Sequence, residues 1–209
     1  MREELERKLQ EDFLFMKQNN VDEERGLFRR WGCECSDGWY GIIHDCCKQI
    51  EERYAQDGVE IDFEPAQIKE KWGTLRFYYG YKDAPCGIAA MDFIGSGISI
   101  RFDPDKDDKA ADSTEGNKKR RLREDIARIV RNTEERSKTT CEWCGDTKTA
   151  SLRTDLGGRI VTLCDSCVGK FIERRKQRRK EIEEKRKEIF EKLITPEENE
   201  GRRRPDGRV

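Results

Sequence analysis

The stretch CEWCGDTKTASLRTDLGGRIVTLCDSC, running from Cys141 to Cys167, decides the fold of this chain. It opens on Cys141-Glu142-Trp143-Cys144 and closes on Cys164-Asp165-Ser166-Cys167, with nineteen residues between the pairs. Four thiolates at this spacing can enclose one Zn²⁺ tetrahedrally. Ala150-Ser151-Leu152-Arg153-Thr154 and Arg159-Ile160-Val161-Thr162-Leu163 read as two strands, joined by a turn at Asp155-Leu156-Gly157-Gly158. The second pair opens a helix near Asp165, and Gly145 suits the tight turn of a knuckle. Knuckle, hairpin and helix together predict a treble-clef finger. Four cysteine ligands leave no open coordination position, so the expected zinc is single and structural. An iron–sulfur centre and a set of free thiols are the alternatives, and both fit the glycine turn and hairpin less well. Trp143 is expected to pack within the knuckle.

Downstream, residues 169–180 hold seven basic side chains and one acidic. Lys170, Arg174, Arg175, Lys176, Arg178 and Arg179 are the candidate phosphate contacts. Residues 181–192 then alternate Glu with Lys and Arg, with Glu181/Lys185 and Glu183/Lys187 at helix-stabilising i,i+4 spacing. Three readings of this helix stand open: a solvated charge-laced face, a DNA- or RNA-backbone site, and a partner helix with Ile182, Ile189 and Leu193 as its seam. The last allows helix-mediated self-association. Residues 195–209, with Arg202-Arg203-Arg204, are expected to be a disordered tail.

Upstream, Leu5, Leu9, Phe13 and Met16 recur at helical spacing and predict a helix over 2–18, ended by Asn19-Asn20. Leu27, Phe28 and Trp31 are candidate core anchors. A second helix starts at Ser36 or Asp37 and carries Trp39, Ile42, Ile43, Cys46, Cys47, Ile50 and Tyr54 on one apolar face. Residues 60–81 read as β-rich, with Pro65 as an interruption, a turn at Gly73-Thr74 and a strand at 75–79. Ile98–Phe102 alternates and predicts another strand. The Asp- and Lys-rich stretch 103–121 predicts a mobile loop, followed by a helix burying Leu122, Ile126, Ile129, Val130 and Thr133.

Of the 209 residues, 34% are hydrophobic and 42% charged, which leaves material for one modest core. The formal net charge is −1, yet residues 139–209 carry 18 basic against 14 acidic side chains. Residues 1–20 lack the apolar segment of a signal peptide, and no apolar run nears the roughly 18 residues of a membrane span. A reducing cytoplasm is the expected location, where paired cysteines point to metal more than to disulfides.

Four phrases resemble a group of small zinc proteins of phages and bacteria. They are Glu34-Cys35-Ser36-Asp37-Gly38-Trp39-Tyr40, the run from Gln67 to Tyr79 (QIKEKWGTLRFYY), Thr140–Gly145 and Thr162–Cys167. The resemblance implies a zinc protein of a phage or bacterial cytoplasm and carries no settled activity. Residues 82–121 and the C-terminal helix stand outside it. The Leu-Cys-x-x-Cys entry into the helix is also similar to GATA-type fingers over about thirty residues, a shape used for DNA in some families and for proteins in others.

Other constellations fall short. His44 and Cys47 share a helical face, but Cys47 lies on the apolar side, where core packing is expected. Cys33, Cys35, Cys46, Cys47 and His44 have unusual spacing for a second metal, and Cys86 is isolated. Asp103, Asp105 and Asp107 imitate a calcium loop that lacks its Gly and Glu. Phe77, Tyr78 and Tyr79 sit beside Lys69, Lys71 and Arg76, but alternation along a strand sends part of this aromatic set to the core. No catalytic set is complete, so no catalytic residue is assigned.

The sequence therefore predicts an α+β chain. A small mixed domain over 1–138 precedes a zinc finger over 139–170, which continues into a helix at about 165–194. The expected function is non-enzymatic nucleic-acid binding or regulation through the basic helix. The alternative is a protein-binding module, such as a phage product engaging or inhibiting a host protein. A nuclease-like enzyme comes third.

Overall fold

The structure is a computed structural model that describes residues 1–17, 27–84, 93–95, 98–100 and 114–194. It is mixed α+β. Two compact units divide the chain, Met1–Cys167 and Val168–Val209. The cysteine hairpin thus belongs to the same unit as the N-terminal elements.

Helix α1 spans Glu3–Asp12, shorter than the 2–18 expected. Phe13 leaves helical geometry at φ −130°, and a 3₁₀ turn over Leu14–Met16 follows. The break still buries Leu9, Phe13 and Met16 together. Asn19 and Asn20 lie outside the described residues. In α2, Leu27–Trp31, Phe28 is fully buried. Trp31 is not the core anchor expected: it is 56% exposed, with the Arg30 guanidinium 5.3 Å from its ring centroid. The helix ends at Gly32 after a single turn with Phe28 as a buried anchor, and the side chain of Leu27 lies outside the described residues.

Strand β1, Cys33–Glu34, pairs in parallel with β2, Phe63–Lys71. Parallel neighbours need a crossover, and α3, Tyr40–Asp57, provides it. A 3₁₀ turn over Asp37–Trp39 leads into α3. All seven apolar positions read from the sequence, Trp39 to Tyr54, are buried here. Strand β3, Thr74–Tyr81, pairs antiparallel with β2 and completes a sheet of order β1-β2-β3. Pro65 does not interrupt β2. A bulge between Pro65 and Gln67 absorbs its missing N–H and its fixed φ. The hairpin turns at Trp72-Gly73, one residue before the expected place, with φ of 51° and 70°. Phe63, Phe77, Tyr79 and Tyr81 form one aromatic cluster on the core face.

Helix α4 covers Thr114–Ser137. The loop reading of 103–121 therefore needs correction over 114–121, which is helical. Residues 103–113, with the calcium-like aspartates, lie outside the described residues, as does Cys86. Leu122, Ile126, Val130 and Thr133 are buried, with Ile129 packed beside them. The end of α4 also closes the free edge of β3. Ser137 Oγ accepts from Leu75 N at 2.9 Å, and Glu134 Oε1 accepts from Phe77 N at 2.8 Å. An edge strand presents unpaired amides, and here two side chains of a neighbouring helix meet them.

Strands β4, Phe93–Gly95, and β5, Ile98–Ile100, make a small hairpin. Strands β6, Ser151–Arg153, and β7, Val161–Leu163, make another, with Ser151 opposite Leu163. Helix α5 covers Asp165–Ile194. The described helices include none long and apolar enough to cross a membrane.

Candidate metal centre

The first pair of cysteines sits in a tight turn. Gly145 N donates to Cys141 O at 2.9 Å, and Cys141 N donates to Asp146 O at 2.8 Å. This wraps the backbone so that Cys141 and Cys144 face the same point. The second pair flanks the start of α5: Cys164 immediately precedes the helix and Cys167 lies in its first turn. Hairpin β6–β7 brings the two turns together, and Glu142 N donates to Thr162 O at 2.9 Å as a further tie.

The result is one cluster of four sulfurs. The Sγ atoms of Cys141, Cys144, Cys164 and Cys167 all lie within 4.8 Å of one another, with Cys144 and Cys164 at 3.5 Å. A tetrahedral cation with sulfur at about 2.3 Å requires sulfurs about 3.8 Å apart, so the set fits a single metal ion. Three of the four cysteines are buried and Cys144 is exposed. It is the only group of three or more potential ligands among the described residues.

The surroundings shift the Cys144, Cys164 and Cys167 thiols in different directions. The Ser166 hydroxyl, 3.1 Å from Cys164 Sγ, leads the effects that pull that thiol down to about 6. The positive end of α5 acts in the same sense. Burial pushes Cys144 and Cys167 up. Thiolates are the form that ligates a cation, so metal entry into the cluster releases protons.

Residues outside the finger hold the knuckle from behind. Gly38 N donates to Glu142 O at 2.9 Å, and Trp39 Nε1 donates to Thr140 O at 2.8 Å. A Cβ at Gly38 would lie 2.2 Å from Cys141 O and 2.7 Å from Cys144 N, so only glycine fits against the ligand turn. The sequence phrase Cys35-Ser36-Asp37-Gly38-Trp39 carries this contact, but nothing in its spacing announces it. Glu142 was also not foreseen. It is 2% exposed, and burial followed by the nearby Glu70 pushes its carboxyl up to about 7. Trp143 is half-buried and lines a groove with Arg2, Tyr40 and Arg136.

The remaining candidates separate from the cluster. Cys33, Cys35, Cys46 and Cys47 are core thiols, and no second metal group forms from them among the described residues. Burial pushes Cys35 and Cys46 up to about 12 and raises Cys33 and Cys47 as well, which suits thiols that pack and do not ligate. His44 pairs with Asp12 Oδ2 at 3.3 Å and meets the rings of Phe13 and Tyr40. On β3, Phe77 and Tyr79 are buried, and Tyr78 is covered by Lys69, whose Nζ is 5.3 Å from the ring centroid.

In the second unit, Lys170, Arg174, Lys176, Arg178 and Arg179 are exposed, while Arg175 is half-buried with its guanidinium 5.8 Å from the Phe171 ring centroid. Ile182, Ile189 and Phe190 are 50%, 59% and 63% exposed. Compared with protein families, with curated proteins and with solved structures, the chain has no match in any of the three.

Proposed function

We propose that this chain is a non-enzymatic zinc protein that binds the nucleic-acid backbone through α5. Zinc is the reading of the metal that a closed set of four thiolates supports best. The order of knuckle, hairpin and helix supports a treble-clef finger, and a closed set of four sulfurs supports a structural task for the ion.

The observation that carries the nucleic-acid reading is the exposure of the cations on α5. Among the described residues, Lys170, Arg174, Lys176, Arg178, Arg179 and Lys180 enter no ion pair. At about 100° per residue their side chains spread around the helix on either side of the buried Phe171. A helix with cations spread so widely is suited to a groove whose two walls are phosphate. Electrophoretic or anisotropy titration with duplex DNA and RNA tests this. Affinity is expected to fall steeply from about 50 to 200 mM salt, by ~10³-fold or more if six phosphates are neutralised. The Arg174, Arg175, Arg178, Arg179→Ala variant is expected to lose most of that affinity while keeping its metal. No retention of wild type on either duplex at low salt rejects the reading.

A second reading rests on Ile182, Ile189 and Phe190, three large apolar side chains at least half exposed on the same helix. They favour a protein partner, whether a host protein or a second copy. Sedimentation of the pure chain and capture from bacterial lysate test it, with Ile182→Ser/Ile189→Ser as the control expected to abolish association.

A further inference from the structure

The far half of α5 carries a different surface from its basic start. From Glu173 to Glu181 the helix holds no apolar side chain, and then the exposed Ile182, Ile189 and Phe190 follow. At about 100° per residue, Arg179, Ile182, Arg186, Ile189 and Phe190 fall within one arc about 100° wide. All five are exposed. An open groove along this strip is lined by Arg179, Ile182, Glu183, Arg186, Lys187 and Phe190. Glu183 is the one acid in that lining, and Lys187 Nζ already holds it at 3.3 Å. By the same helical spacing Glu181, Glu184 and Glu188 lie on the far side of the helix. Among the described residues, Arg179 and Arg186 enter no ion pair.

The strip is thus apolar and cationic, with no acid free to answer it. Ile182 and Ile189 stand one heptad apart, the spacing that packs against another helix. Arg179 and Arg186 each stand three residues before one of these isoleucines, where Asp or Glu on that helix would meet them. A second copy of the chain is the wrong occupant. Any pairing that sets Ile182 and Ile189 of two copies against one another, parallel or antiparallel, places Lys185 and Arg186 of one opposite Lys185 and Arg186 of the other. Like charges so placed oppose association. A bilayer surface calls for an apolar face along the helix, and residues 173–181 offer none. Phosphate walls leave three apolar side chains with nothing to meet.

We propose that residues 179–190 of α5 bind an acidic amphipathic helix of a partner protein, with its apolar seam against Ile182, Ile189 and Phe190 and its carboxylates against Arg179 and Arg186. This rests on the protein-partner reading of α5 and names the chemistry of the partner. Burial of the apolar seam supplies most of the affinity. The two arginines choose the partner, because a basic helix in the same place would be repelled.

The test titrates the metal-loaded full chain with a fluorescein-labelled synthetic peptide of about three heptads, with Leu at a and d and Glu at e and g. Two companion peptides differ only in Lys for Glu or in Ser for Leu. The Leu/Glu peptide is expected to bind about tenfold or more tightly than either companion, and to weaken with salt. Arg179→Glu/Arg186→Glu should turn the preference toward the Lys companion. Ile182→Ser/Ile189→Ser should lower affinity about tenfold or more with helix content unchanged by circular dichroism. The proposal is overturned if the Leu/Glu peptide does not bind at low salt, if the Ser companion binds as tightly, or if the charge reversal leaves the preference unchanged. Sedimentation that shows the pure chain paired through Ile182 and Ile189 overturns it too, as does capture by phosphatidylserine vesicles that depends on the same isoleucines. Equal binding of the Glu and Lys peptides, lost in Ile182→Ser/Ile189→Ser, overturns the acidic partner and leaves the protein-partner reading standing.

Discussion

Gly38 sits where an added methyl group would lie 2.2 Å from the Cys141 carbonyl oxygen and 2.6 Å from Gly145 N. Those are backbone atoms of the ligand turn and cannot swing aside. Gly38→Ala is therefore expected to destabilise the protein by about 1–3 kcal/mol, the usual range for overpacking, and to weaken metal retention. Urea unfolding and competition with a chromophoric chelator measure the two effects, and an unchanged chelator midpoint would show that the knuckle does not lean on Gly38. The cysteines divide along the same line. Cys144→Ser removes a sulfur from the cluster and is expected to lose the metal. Cys47→Ser is expected to leave metal content alone and lower only thermal stability, because Cys47 is fully buried in the core. Equal metal loss in both variants would contradict the assignment.

Among the elements, α4 ties the sheet to α3. Its last turn meets the β3 edge through Ser137 and Glu134, and its middle meets α3 through Arg53, whose Nε lies 2.8 Å from Asp125 Oδ2. Ser137→Ala leaves the Leu75 amide buried without its acceptor, which costs about 1–3 kcal/mol. Calorimetry and hydrogen exchange at Leu75 test this, and exchange no faster than in wild type would contradict it. Hydrogen bonding from Arg53, then Arg128, holds the Asp125 carboxyl below its ordinary value of 3.8. A depressed carboxyl contributes stability above the unfolded value and loses it as pH falls through the folded one. Asp125→Asn should therefore be less stable at pH 7 and lose less stability than wild type on acidification below about pH 4. Parallel acid-unfolding curves for the two proteins would argue against the pair. The elements legible in the sequence were those with long apolar periodicity. Seven positions over Trp39–Tyr54 announced α3, and Leu122 to Thr133 announced the buried face of α4. The first two turns of α4 were hidden because Lys118-Lys119-Arg120-Arg121 bury nothing and so leave no apolar rhythm. Strand β1 has two residues, too few for any pattern, and only its parallel pairing with Ile68 and Lys69 defines it. Pro65 looked like a stop because a bulge is a property of two strands together.

At the scale of the whole molecule, the metal cluster is where distant parts of the first unit converge. The 3₁₀ turn before α3 supports the knuckle through Gly38 and Trp39, and β7 grips the β2–β3 turn through Thr162 and Gly73. The spacing of Cys141, Cys144, Cys164 and Cys167 was legible because metal ligation constrains sequence separation directly. The packing behind it was not, since Gly38 and Thr162 act through backbone approach and one hydroxyl. Removing the metal should loosen more than the finger. Chelation is expected to speed exchange at the Glu142 and Gly38 amides, with the Leu75 and Phe77 amides least affected, and acid should favour release because protons compete for the thiolates. The most direct test is elemental analysis of the freshly purified, reduced full chain. The account predicts one zinc per chain in wild type and close to none in Cys144→Ser; wild-type protein with a metal content near zero, folded and stable to chelator, would contradict it.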